Sequence, residues 1–200
     1  MRTILVCNHK GGVGKTSVAL HLAAFLAGEG ERVLAVDTDP QGSLTQWHAR
    51  SRAEEWEVPD VWMLRGTELL LRLPALAKKN RLDTLIVDTP PAFSPAVVAL
   101  VEKADRVLVP VTPGGFELDA LQTTLSMSGR EKMWFIVNRA DSGLVCREVR
   151  RHLDELGPVS VVRNYSVFRE ASLAGGTVLA LDPGSNAARD VRALAKEALS

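Results

Sequence analysis

Cysteine is scarce in this 200-residue chain, which has two, Cys7 and Cys146. They stand far apart and neither belongs to a Cys-x-x-Cys or Cys/His spacing, which argues against a cysteine-ligated metal or cluster and leaves two reduced thiols. Net charge is missing as well. Lys plus Arg and Asp plus Glu each total 24, so bulk charge draws the chain to neither nucleic acid nor membrane, and a basic surface has to come from local clustering. No apolar run approaches the roughly 18 residues of a membrane span. The N-terminus enters a strand pattern almost at once, without the features of a signal peptide, so a cytoplasmic location is expected. Repeats, low-complexity tracts and long linkers are also lacking.

What is present is a core. Hydrophobic residues make up 46% of the sequence, enough for one compact domain over residues 1–200. Strand-like apolar runs fall at Ile4–Cys7, Val33–Val36, Thr84–Val87, Val107–Val111, Trp134–Val137 and Val159–Val162. Helical patterns occupy 16–28, 43–53, 67–79, 95–103, 116–128, 144–156, 167–174 and 185–199, and the irregular stretch Glu54–Arg65 reads as a surface connection with a short strand of its own. Near-continuous Val/Ile/Leu strands alternating with amphipathic helices predict an α/β fold: a doubly wound, mostly parallel sheet with helices on both faces. Such sheets bind ligands beyond the carboxyl ends of their strands.

The first strand runs into Asn8-His9-Lys10-Gly11-Gly12-Val13-Gly14-Lys15-Thr16-Ser17, a glycine loop between strand and helix. Glycines let backbone N–H groups turn inward around phosphate oxygens, and the following helix N-terminus adds partial positive charge. Lys15 suits the β- and γ-phosphates and the Thr16 hydroxyl suits Mg²⁺. A standard P-loop has glycine where His9 stands, so that pattern fails here.

The segment Lys10-Gly11-Gly12-Val13-Gly14-Lys15-Thr16 instead resembles the deviant Walker A of the ParA/MinD, or signature-lysine, ATPases, and most of all small stand-alone ParA-type partition ATPases. The resemblance implies a P-loop fold, ATP, ADP and Mg²⁺ as ligands, and residues 10–17 as the phosphate cradle. It also implies that Lys10 contacts the nucleotide of the other subunit in an ATP-dependent sandwich homodimer. A solvated loop lysine is the plain alternative for Lys10.

Beyond the second strand, Asp37-Thr38-Asp39-Pro40-Gln41 matches the family's D-x-D-P-Q element. By resemblance Asp39 directs the attacking water, directly or through the Mg²⁺ shell, and Asp37 supports the metal and the switch loop. Either aspartate also suits a cap on the helix starting near Ser43. The third strand ends at Asp88 before Thr89-Pro90-Pro91, as a Walker B acid beside Mg²⁺ would, although an acid there also suits a turn. Asn138-Arg139 matches the family's adenine-reading pair, and Pro183 lies in a segment like its adenine-closing loop; ordinary loop plus a cap at Ser185 is the competing reading.

The surroundings narrow the task. The final helix reads as packed on its own sheet, not as a membrane anchor, and no operator-binding domain is expected ahead of the loop. The resemblance therefore implies an ATP dimer that binds DNA nonspecifically, associates with the nucleoid, and is released when a small centromere-binding or cargo-adaptor protein stimulates hydrolysis. The cargo would be plasmid or chromosomal DNA, or a protein assembly. Candidate DNA contacts are Arg147, Arg150 and Arg151, placed near one helix face by their spacing, with Arg163 and Arg169 beyond; a solvated basic face fits them equally. A metabolic synthetase or kinase of the wider superfamily is the second reading.

Overall fold

The computed structural model describes residues 1–79, 82–114, 121, 124–126 and 129–199. Seven strands form one sheet: β1 (Arg2–Val6), β2 (Val33–Asp37), β3 (Asp60–Met63), β4 (Thr84–Asp88), β5 (Arg106–Val111), β6 (Met133–Ala140) and β7 (Val159–Arg163). Their order is β3-β2-β4-β1-β5-β6-β7, and every pairing is parallel. The expected doubly wound α/β fold is therefore observed, and β3 supplies the short strand anticipated within Glu54–Arg65.

Eight helices are described: α1 (Lys15–Gly28), α2 (Ser43–Ala53), α3 (Gly66–Lys79), α4 (Pro95–Lys103), α5 (Leu144–Leu156), α6 (Val167–Leu173), α7 (Val178–Leu181) and α8 (Asn186–Leu199). The expected helix over 116–128 falls largely outside the described residues. Period-two alternation divides the strand side chains between two cores. Leu5, Val36, Val87, Val109 and Val137 face a cluster that includes α3, α4 and α5. Ile4, Val6, Ala35, Ile86 and Ile136 face α1, α2 and α8. A smaller cluster of Ala171, Val178, Ala187 and Val191 seats α6 and α7 against α8. Because α1 is covered by the sheet below and by α2 and α8 beside it, Leu22 and Ala23 are buried and its N-terminus is fixed above β1.

Strand pairing then aligns the acids. Val6 pairs with Asp88, and Asp88 with Asp37, so two carboxylates and the entrance to the glycine loop meet at one end of the sheet. Among the described residues no helix is long and apolar enough to cross a membrane.

Candidate functional site

The glycine loop is held from below. Asn8 Nδ2 donates to the Pro110 carbonyl at 2.7 Å, and Asn8 Oδ1 accepts from Lys10 N–H at 3.0 Å. Lys15 Nζ donates to the Lys10 carbonyl at 3.0 Å, which keeps the buried ammonium under the loop; burial lowers its pKa, while Asp88 and Asp39 oppose the shift. Gly14 has φ of 95° and begins α1, and no side chain caps that helix. A Cβ at Gly14 would collide with Asn138 Nδ2, which donates to the Val13 carbonyl at 2.8 Å. Only glycine meets both demands. Buried Asn138 thus ties the end of β6 to the loop through its amide N–H.

The acids divide into different environments. Asp88 is 1% exposed; one oxygen accepts from Thr16 Oγ1 at 2.6 Å, and the other, Oδ1, is buried without a hydrogen-bond partner. Burial pushes its carboxyl up to about 7, with Asp37 and Asp39 adding repulsion and Thr16 and Lys15 opposing it. A buried, unsatisfied carboxylate oxygen beside a hydroxyl is a donor set that suits a hard cation. Thr16 and Asp88 therefore fit Mg²⁺.

Asp37 is fully buried and accepts from Thr45 N–H at 3.0 Å, Thr45 Oγ1 at 3.1 Å and Asp39 N–H at 3.1 Å. It caps α2 from the tip of β2, where Gly42 at the helix start has no side chain to do so. Asp39 is half-buried, accepts from Gln41 N–H at 2.9 Å, and lines the cavity above the loop. Of the two, Asp39 alone faces open space.

That cavity, about 390 Å³, is lined by the loop, by Asp39 and Ser43, by Trp47 and Arg50 of α2, and by Phe168, Ser172 and Gly176. A neighbouring cavity of about 630 Å³ shares Gly14, Ser17, Arg139, Phe168 and Ser172 and adds Asn138, Arg163 and Arg169. Arg139 adopts φ of 56°, an uncommon left-handed conformation for a non-glycine residue. Pro183 lines neither cavity; its carbonyl accepts from Arg192 Nη1 at 2.8 Å, and Ser185 caps α8 through Ala188 N–H at 3.1 Å. Sequence reasoning missed Trp47, Phe168 and His21. His21 lies in α1 with both ring nitrogens engaged, by Ser17 O at 2.7 Å and Val178 N–H at 3.2 Å. Burial holds its pKa down at about 4.

The five candidate arginines do not share one face. Arg147, Arg150 and Arg163 line a cavity of about 520 Å³ with Asp141 and Tyr165. Arg151 lines another cavity, with Leu144, Val145 and His152, and pairs with Glu148 at 2.5 Å. Arg151, four residues on, lies about 40° around the helix from Arg147 and Arg150 about 60° to its other side, so the two flank Arg147 and open onto different cavities. Arg163 also bonds Asp190 at 2.8 Å, while Arg169 lines the neighbouring cavity with Asn138 and Phe168.

Residues 4–178 match the CobQ/CobB/MinD/ParA nucleotide binding domain. The chain is 36% identical over 188 residues to the maintenance of carboxysome distribution protein A of Gloeobacter kilaueensis, covering 89% of this chain and 84% of that one. It is 28% identical to the chromosome-partitioning ATPase Soj of Thermus thermophilus, covering 100% and 96%. Among solved structures, apo McdA of Cyanothece superposes with a TM-score of 0.79 at 20% identity, covering 100% of both chains.

Proposed function

The chain belongs to the CobQ/CobB/MinD/ParA nucleotide-binding domain family as a ParA/MinD-type ATPase, and on that premise we propose that it is a positioning switch whose ATP-bound dimer holds nonspecific DNA. The observation that carries this reading is the separation of the two loop lysines. Lys15 is buried, bonds the Lys10 carbonyl through Nζ and lines the cavity its own loop forms, whereas Lys10 stands half-buried at the loop's entrance, a place that suits a lysine serving the nucleotide of a second copy. Hydrolysis is then tied to dimer state, which fits a switch.

Within one subunit the chain's own groups do most of the work that phosphoryl transfer asks of a protein, namely positioning and charge neutralisation. The loop N–H groups and Lys15 hold the phosphates. Thr16 and Asp88, with Asp39 at the rim, would hold Mg²⁺, which when bound would supply neutralisation of phosphate charge. Asp39 directs the attacking water, and Asp37 fixes the Asp39 loop to α2. Asn138 oxygen accepts from the adenine amine, with Arg139 beside it; Pro183 serves the base only if its loop moves toward the groove.

Arg147, Arg150 and Arg163 form the DNA patch of this reading, with Arg169 near the groove. The partner is a small adaptor that stimulates hydrolysis. A protein assembly as cargo is favoured over plasmid or chromosomal DNA by the 36% identical carboxysome-distribution relative. Cosedimentation with DNA in ATP and in ADP tests the reading: ATP-gated binding supports it. Indifference to DNA, with stimulation by a small metabolite, points to the metabolic branch of the superfamily.

A further inference from the structure

A bridge of hydrogen bonds crosses the groove behind the phosphate loop. From α2, Trp47 Nε1 donates to Gly176 O at 3.1 Å and Ser51 Oγ donates to Gly175 O; just beyond the helix, Trp56 Nε1 donates to Ala174 O at 3.0 Å. The acceptors are three successive carbonyls of the turn between α6 and α7. That turn continues to Val178, whose N–H donates to His21 Nε2, and His21 reaches Ser17 O in the first turn of α1. The approach is close: Gly175 has φ of 69°, and a Cβ there would stand 3.1 Å from the Arg50 carbonyl carbon and Ser51 N. A Cβ at Gly176 would meet the Trp56 ring at 3.2 Å. Trp47 and Ser51 are buried, so these bonds form away from competing water and hold one register.

The bridge connects elements that also line the site. The amino end of α2 is fixed to β2 by Asp37 and Thr45, and the Asp39 loop lies between them. The far end of α2 is fixed by Trp47 and Ser51 to the turn that follows α6, and α6 contributes Phe168 and Ser172 to both cavities. We infer that Trp47, Ser51 and Trp56 are positioning residues for hydrolysis: they transmit the placement of α6, beside the nucleoside, to α2 and so hold Asp39 in register with the phosphates. This rests on Asp39 being the water-directing carboxylate of the proposed switch.

The test uses Trp47→Phe, which keeps a ring and removes the donor, together with Ser51→Ala and Trp56→Phe. Binding of ATP and ADP is measured beside single-turnover hydrolysis and thermal melting. The expected result is a fall in hydrolysis of about fivefold or more, with nucleotide dissociation constants within about twofold, because a mispositioned group costs the transition state more than the ground state. Should Trp47→Phe fail to fold, the partly exposed Trp56→Phe and the small Ser51→Ala decide the matter. Wild-type hydrolysis in folded variants overturns the inference, as does a parallel loss of binding and turnover that follows stability alone. Asp39→Ala is the control: if it hydrolyses normally the role of Asp39 fails, whereas if it is inactive while the bridge variants turn over normally, the bridge inference alone fails.

Discussion

Asp37 and Thr45 are joined twice, the carboxylate accepting from both the backbone N–H and the hydroxyl of the threonine. This pair separates the roles of two aspartates that stand two residues apart. Asp37 is used up in anchoring α2, whereas Asp39 lines the cavity above the phosphate loop.

Replacing Asp37 by alanine is expected to destabilise the protein by about 1–3 kcal/mol, since the half-buried donors of Thr45 and Asp39 lose their acceptor and α2 loses its cap. Hydrolysis should fall with it. Asp39→Ala should leave stability near wild type and ATP bound but unhydrolysed, because its loss acts on the transition state. Urea unfolding and single-turnover assays check the pair, and normal hydrolysis by Asp39→Ala would exchange the two roles.

The nucleotide loop should depend on Asn138 beyond any contact with a base. Asn138→Ala removes the donor that holds the Val13 carbonyl and is expected to weaken inorganic triphosphate by about 1–2 kcal/mol, and ATP and ADP by at least as much because the base contact goes with it. Titration calorimetry with all three ligands is decisive. Loss confined to the adenine nucleotides would make Asn138 a base reader only.

The pH dependence of stability contains two opposing buried groups. His21 falls from 6.5 to about 4 in the fold, so below 6.5 the unfolded chain binds the extra proton and stability drops as pH falls toward 4. Asp88 rises from 3.8 to about 7, so over nearly the same window the folded chain binds the extra proton and stability rises as pH falls. The two contributions largely cancel. Asp88→Asn removes one of them and should lose about 2 kcal/mol more than wild type between pH 6.5 and 4.5. Parallel unfolding curves at the two pH values would contradict this. The geometry of His21 agrees with its shift, since a second ring proton would face the Val178 N–H.

DNA binding gives a geometric prediction. Arg147→Glu with Arg150→Glu should abolish ATP-gated DNA binding and flatten its salt dependence, whose slope is about −0.9 per neutralised phosphate. Arg151→Glu, at a residue that lines a different cavity and is paired with Glu148, should change it less. A larger effect from Arg151 than from Arg150, measured by fluorescence anisotropy across salt, would move the patch to the Glu148 side.

The parallel sheet was legible because its central strands are buried on both faces and read as unbroken apolar runs, and the loop was legible because glycines and lysines stand at fixed spacing. The division between Asp37 and Asp39 was not, since both suit a cap or a ligand until Thr45 is seen beside one of them. That Arg150 and Arg151 open onto different cavities was not legible, because spacing of three and four residues from Arg147 places both near it without saying which groove each lines. The Trp47, Ser51 and Trp56 contacts reach residues well over 100 positions away. Only the adjacent pair Gly175-Gly176 hinted in sequence that another backbone comes close there.

Action of Lys10 across a dimer is decided by light scattering of Asp39→Ala with and without a second change, Lys10→Ala. With Mg²⁺ and ATP the Asp39→Ala protein should have twice the mass it has in ADP, while the Lys10→Ala, Asp39→Ala protein should bind ATP and stay at the lower mass. ATP-dependent doubling in both proteins would contradict the account.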